Sequence, residues 1–110
     1  ILVHAVRKAE DLRYQDLVNK FSSTFHDRFI FKAFVSRESS ATALPGRIPA
    51  AITDGRLEKS VGIELSAEAS QVMLCGNPDM ITDSIAALKT KGLKKHRRRN
   101  PGKITVEKYW

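Results

Sequence analysis

The sequence holds a single cysteine, Cys75, in 110 residues, so no disulfide can form within it, and the chain fits a reducing compartment, read here as the cytoplasm. Long apolar runs are missing as well. Ala50-Ala51-Ile52 and Ile85-Ala86-Ala87-Leu88 are short and flanked by polar residues, well below the ~20 residues that a membrane helix needs. No signal peptide is visible at the start. His4, His26, His96 and Cys75 are too scattered to suggest a zinc site. The length allows one domain with a buried core and not two. The chain begins at Ile1, already inside a strand-like run, which reads as a piece of a longer protein.

Positive charge is abundant. The formal net charge is +7, and Lys89, Lys91, Lys94, Lys95, His96, Arg97, Arg98, Arg99 and Lys103 crowd into one late segment. Such a tract fits an acidic partner, or simply a solvated helix end and loop. A nucleic-acid tract is a further reading, but the run contains no aromatic residue on which bases could stack.

Hydrophobic patterning gives the order of elements. Ile1 to Val6 reads as a strand apolar on both faces, as a central parallel strand should be. A helix follows from about Glu10 to Phe25, with Tyr14, Leu17, Val18, Phe21 and Phe25 largely on one face. Phe29 to Val35 is the next strand, and strand, helix, strand in so few residues makes a right-handed crossover with parallel strands. A polar loop then leads to a short helix near Ile48 to Asp54, which Gly55 ends, and Leu57 to Leu65 looks irregular. Gln71 to Leu74 is the third strand and Asp79 to about Thr90 an amphipathic helix, with Met80, Ile81, Ile85 and Leu88 inward and Gly92 at its end. After a basic loop, Ile104 to Trp110 closes as an alternating strand. The fold class is α/β, a doubly wound parallel sheet flanked by helices.

In this order the carboxyl end of each parallel strand carries a suggestive residue: Arg7 after the first, Ser36-Arg37 after the second, Cys75-Gly76-Asn77 after the third. Ligands of open α/β sheets bind at such ends. Arg47 lies in the loop that leaves the second strand, so Arg7, Arg37 and Arg47 can converge on one anionic group, and the planar guanidinium suits phosphate. An Arg after the second strand is also the usual way to accommodate the 2′-phosphate that distinguishes NADP from NAD. Each arginine alone is equally well a surface charge. Asn77 can cap the helix that Pro78 opens, and Gly76 leaves room for something to approach. Cys75 is a site residue or a small filler at a strand end.

With Cys75-Gly76-Asn77-Pro78, Ser36-Arg37, Gly46-Arg47-Ile48-Pro49-Ala50 and the ending Val106-Glu107-Lys108-Tyr109-Trp110 in order, the chain resembles the NADP-binding half of a bacterial ferredoxin/flavodoxin–NADP reductase. The likeness covers nearly all 110 residues. It implies that Arg7, Ser36, Arg37 and Arg47 contact the adenosine 2′-phosphate, and that Cys75-Gly76-Asn77 positions the nicotinamide with the Cys75 thiol as a packing group near the hydride-bearing carbon. It further implies that Tyr109 and Trp110 lie against FAD. Glu107 matches a carboxylate near the flavin that helps electron or proton transfer in relatives; an exposed strand carboxylate is the plain alternative.

The departures from that family are informative. The FAD-binding barrel and the glycine-rich first strand-turn that cradles the pyrophosphate are absent, so the chain starts at what corresponds to the second strand of the NADP domain. The resemblance implies hydride transfer between NADPH and FAD in the intact enzyme, electrons exchanged with ferredoxin or flavodoxin, and an inactive isolated fragment. The partners so implied are the FAD-binding domain of the same protein and an acidic carrier steered by the basic segment. Two other functions stay open. One is an NAD-dependent flavoprotein reductase of the same superfamily, against which Ser36, Arg37 and Arg47 speak; the other is a basic nucleic-acid-binding module.

Overall fold

The structure is a computed structural model that describes residues 1–108. Its contacts group the chain into two compact units, Ile1–Arg47 and the residues from Ile48 onward. Both are built from parallel strands and helices.

The first unit is a three-stranded sheet in the order β1-β2-β3, made of β1 (Leu2–Val6), β2 (Phe31–Val35) and β3 (Leu44–Pro45). All pairings are parallel, with Leu2 opposite Phe31, Val6 opposite Val35 and Val35 opposite Pro45. β2 is the middle strand and is covered on both faces, since its successive residues Ala33, Phe34 and Val35 are all buried. β1 pairs on one side only, and Leu2 is 45% exposed. The expectation that β1 is the two-sided central strand is therefore corrected within this unit, where that place belongs to β2. Sequence patterning also missed β3, because a two-residue strand containing proline carries no alternation to detect.

The first helix, α1, runs over Gln15–Thr24 rather than from Glu10. Residues Ala9–Asp11 make a 3-10 turn, and Tyr14 then takes a left-handed conformation with φ 63°. A non-glycine residue there interrupts any continuous helix. Of the apolar face expected on α1, Val18 is buried, whereas Leu17, Phe21 and Phe25 are exposed in this structure. Phe21 instead packs edge-on against Phe29, ring centroids 5.8 Å apart, and tilted against Phe25 at 6.4 Å.

The second unit holds α2 (Ile48–Thr53), α3 (Arg56–Val61), β4 (Val72–Gly76), α4 (Pro78–Lys89) and β5 (Ile104–Lys108). β4 and β5 pair in parallel from Val72 opposite Ile104 to Gly76 opposite Lys108. α4 buries Ile81, Ser84, Ala87 and Leu88, a spacing that keeps one helical face inward, and it packs against α2. Met80 and Ile85, expected inward, are half-buried at the edges of that face. α4 ends as expected. Gly92 has φ 85°, and the Leu93 N–H donates back to the Leu88 carbonyl at 3.2 Å, the bond of a Schellman turn whose following apolar residue, Leu93, is buried.

Two expectations for this unit are corrected. Arg56–Val61 is a helix and not irregular; it is short, bracketed by Gly55 and Gly62 with φ 83° and 71°, and held by the buried Leu57. β4 extends through Cys75 and Gly76, so these residues stand in the strand and not in the turn, which begins at Asn77.

Candidate functional site

The parallel register of the first unit aligns the carboxyl ends of its strands. Val6, Val35 and Pro45 stand side by side, and neighbouring strands are about 4.8 Å apart. Beyond the regular ladder the backbone stays paired. Ser36 N–H donates to the Val6 carbonyl at 3.1 Å and Arg37 N–H to the Arg7 carbonyl at 2.9 Å. The next strand end leads through Gly46, whose φ of 85° turns the chain, into Arg47. The structure thus brings Arg7, Ser36, Arg37 and Arg47 to one end of one sheet, all exposed.

None of these three guanidinium groups meets a carboxylate among the described residues, where the ion pairs are His26–Asp27, Arg56–Asp54 and Lys91–Glu58. Gathering like charges costs on the order of 0.5 kcal/mol per pair at roughly 8 Å in water-like dielectric. A doubly charged phosphate reverses that sign. Sequence reasoning missed one neighbour: Glu38, next to Arg37, accepts the Ala9 N–H on Oε1 at 2.5 Å. Its only signal was its position after Ser36-Arg37.

In the second unit, Cys75 stands opposite Glu107 in the β4–β5 register. Residues paired this way share a face of the sheet about 4.8 Å apart. Both side chains are exposed, as are Met73 and its partner Thr105 one pleat earlier, with Met73 84% exposed. Leu74 and Ile104, on the other face, are buried in the core. The carboxyl end of β4 therefore presents a soft, partly polar surface made by Met73, Cys75 and Glu107.

Two features fix this end. Gly76 has φ 128°, and a Cβ there would lie 3.3 Å from the Met80 methyl, so only glycine suits the position. Asn77 Oδ1 accepts the N–H of Asp79 at 2.8 Å and of Met80 at 3.4 Å, with Pro78 as the first helical residue. The chain thus passes from strand to helix with its helical N–H groups satisfied. Tyr109 and Trp110, the expected flavin-facing aromatics, lie outside the described residues.

The basic segment forms a built loop. Arg97 and Asn100 exchange backbone hydrogen bonds of 3.1 and 2.9 Å, which puts Arg98 and Arg99 at a tight tip, and Lys94 Nζ donates to Asn100 Oδ1 at 2.8 Å. Gly102 lies so close to the Lys94 carbonyl that an added Cβ would sit 2.4 Å from it. Arg97, Arg98 and Arg99 are exposed.

A shallow hollow of about 590 Å³ lies elsewhere in this unit, lined by residues that include Glu58, Ile63, Leu65 and Lys91. Two of its charged residues, Glu58 and Lys91, are paired with each other. Glu58 Oε1 meets Lys91 Nζ at 2.6 Å, and Oε2 accepts the Leu65 N–H at 2.8 Å. The Lys91 ammonium, and secondly the Leu65 N–H, hold the Glu58 carboxyl below its ordinary range. Lys91 follows the far end of α4 from Asn77, about 20 Å along the helix axis. The hollow is therefore not part of the Cys75 end. Among the described residues no group of three or more His, Cys, Asp or Glu could hold a metal ion, and no helix is long and apolar enough to cross a membrane.

Comparison with known proteins identifies the family and the fold. The chain is 45% identical over 111 residues to the flavodoxin/ferredoxin–NADP reductase of Escherichia coli (strain K12), covering 100% of this chain and 45% of that protein. It is 39% identical to the flavodoxin/ferredoxin–NADP reductase of Buchnera aphidicola subsp. Baizongia pistaciae, with the same coverage of both. The crystal structure of a ferredoxin NADP+ reductase from Neisseria gonorrhoeae with bound FAD and NADP superimposes with a TM-score of 0.88 at 31% identity, over 99% of this chain and 44% of that one. The chain thus spans about half the length of the curated relatives it matches. A family model described as the oxidoreductase NAD-binding domain matches residues 1–85, and with most of its length inside that match this chain belongs to the oxidoreductase NAD-binding domain family.

Proposed function

We propose that this chain is the NADP-binding part of a flavin-dependent oxidoreductase that transfers hydride between NADPH and FAD and exchanges electrons with ferredoxin or flavodoxin. The observation that carries this reading is the set of unpaired arginines, Arg7, Arg37 and Arg47, at the level carboxyl ends of β1, β2 and β3. That arrangement fits a phosphate monoester, which NADP has on its ribose and NAD lacks.

The residues of each end have distinct work. Arg7, Arg37 and Arg47 bind the 2′-phosphate, with the Ser36 hydroxyl as a further donor, and so hold the adenosine end of the nucleotide. Gly76 leaves the strand end open to a flat ring. Cys75 packs its polarizable sulfur against that ring, and Glu107, opposite it in the ladder, holds a carboxylate beside the reacting region where it can hold or move a proton. When bound, NADPH supplies the hydride and FAD accepts it. Tyr109 and Trp110 are assigned to the flavin side. FAD itself is bound mainly by a separate domain of the same protein.

The exposed Arg97–Arg98–Arg99 tip suits an acidic electron carrier, because long-range attraction raises encounter rates without needing shaped contacts. The cytoplasm fits as its compartment, since Cys75 is an exposed free thiol that a reducing environment preserves. The test is anaerobic mixing of the full-length protein with NADPH or NADH while the visible flavin absorption is followed. Bleaching by NADPH at concentrations where NADH is slow supports the reading. No bleaching, or equal rates with both, overturns it.

A further inference from the structure

We infer that Glu38 is a positioning residue of the phosphate site: its carboxylate ties the loop after β1 to the loop after β2 and keeps Arg7 beside Arg37. This rests on the reading of the strand-end arginines as an anion site. The bond in question runs from the Ala9 N–H to Glu38 Oε1 at 2.5 Å, between residues 29 apart in sequence.

The loop from Lys8 to Tyr14 has little else to hold it there. Its other hydrogen bonds are local: Asp11 N–H to the Lys8 carbonyl, Leu12 N–H to the Ala9 carbonyl, Arg13 Nη1 to the Glu10 carbonyl, Gln15 Nε2 to the Arg13 carbonyl and Val18 N–H to the Tyr14 carbonyl. Among the described residues, Glu38 gives the one side-chain hydrogen bond that joins this loop to another strand's loop. The same loop ends at Tyr14 in the left-handed region, φ 63°, a conformation that a non-glycine residue holds only when its surroundings impose it. An anchored start at Ala9 is one such imposition. Without it, the 3-10 turn Ala9–Asp11 and the preceding Arg7 are tied to β2 by backbone bonds alone.

The charge of Glu38 poses a puzzle that its geometry answers. A carboxylate next to Arg37 should neutralise one of the arginines and repel a phosphate. Instead it is bound to a backbone N–H at the start of a 3-10 turn and meets no guanidinium. A charge-assisted bond of this kind is short and directional. Glu38 thus acts through reach and direction, and its negative charge is incidental to the ligand.

Reach and charge are separable by substitution. Glu38→Gln keeps an acceptor oxygen at the same distance and loses the charge, whereas Glu38→Asp keeps the charge and falls one methylene short. In the full-length protein, calorimetric titration with 2′,5′-ADP and with 5′-AMP reads phosphate discrimination directly. Glu38→Asp is expected to weaken 2′,5′-ADP about tenfold, the equivalent of one net hydrogen bond, and 5′-AMP less than about twofold. Glu38→Gln is expected to stay within about twofold of the parent for both. Amide exchange at Ala9 should quicken in Glu38→Asp and not in Glu38→Gln. Tight 2′,5′-ADP binding by Glu38→Asp, equal loss for both nucleotides, or a Glu38→Gln as weak as Glu38→Asp would each overturn the proposal. Arg37→Ala serves as the control arm. If it loses 2′,5′-ADP while Glu38→Asp does not, only the role of Glu38 fails; if Arg37→Ala also binds normally, the anion site itself is wrong.

Discussion

Replacing Arg37 with alanine tests the phosphate site at its centre, because Arg37 follows the middle strand and its N–H is bonded to the carbonyl of Arg7. Its side chain is exposed and has no carboxylate partner among the described residues, so removal exposes no buried partner and leaves folding intact. The magnitude follows from Coulomb's law. A unit charge about 4 Å from another in a water-like medium gains ~1 kcal/mol, and a phosphate monoester carries about −1.5 to −2 at neutral pH. Arg37→Ala should therefore weaken NADPH by ~1.5–2 kcal/mol, or about 10- to 30-fold in Kd. NADH should change less than about twofold, since nothing charged stands at its ribose hydroxyl. The deficit should shrink in high salt as screening sets in. It should also shrink to about fivefold near pH 5, where the phosphate falls to a single charge. Fluorescence or calorimetric titration of the full-length protein with both nucleotides, at two salt concentrations and two pH values, measures all of this. Equal weakening of NADPH and NADH, or no weakening of either, would refute the reasoning.

Three other outcomes can be checked. Glu58→Ala should destabilise the second unit by ~2 kcal/mol, because it strands the Lys91 ammonium, 25% exposed, and orphans the Leu65 N–H. The Glu58 carboxyl is held below its ordinary value when folded, so its contribution is complete above the unfolded value of ~4.3 and fades as pH falls through the lower folded value. Urea titrations at pH 7, 5 and 3 should show a mutant deficit that is steady and then shrinks; a deficit growing in acid would sink the assignment. Gly76→Ala should lower Tm by roughly 4–8 °C, since φ 128° strains any residue with a Cβ and the Met80 methyl, 3.3 Å from it, must also give way, and an unshifted melting curve would contradict that. Arg97, Arg98 and Arg99 changed together to glutamine should slow electron delivery to an acidic carrier about tenfold in low salt and hardly at all in high salt; identical turnover in low salt would leave the tip a solvation device.

Much of the site was legible because it depends on strand order and residue type. Arg7 and Ser36-Arg37 follow apolar runs, and parallel pairing of Leu2–Val6 with Phe31–Val35 makes their ends level without further information; Arg47 was legible only as a loop residue after the second strand, and β3 sets its level. Asn77-Pro78 and Gly92 announced the two ends of α4, since capping chemistry is local. What escaped was set by contacts between distant residues. The two-residue β3 exists through its pairing with Phe34 and Val35, and α3 is stabilised by burying Leu57. α1 was overextended because Tyr14 carries no sign in its residue type of a left-handed backbone. The pairing of Cys75 with Glu107 required the β4–β5 register, which no local pattern contains.

The cap at Asn77 has a chemical corollary for whatever reaches the end of β4. Its oxygen is already shared between the backbone N–H groups of Asp79 and Met80, so the face left to solvent is its amide nitrogen. A visiting molecule therefore meets a donor at that point and no side-chain acceptor. A carboxamide oxygen or a ring nitrogen lone pair is welcome there, an ammonium or a hydroxyl proton is not, and the fold makes that choice by the same bonds that start its longest helix.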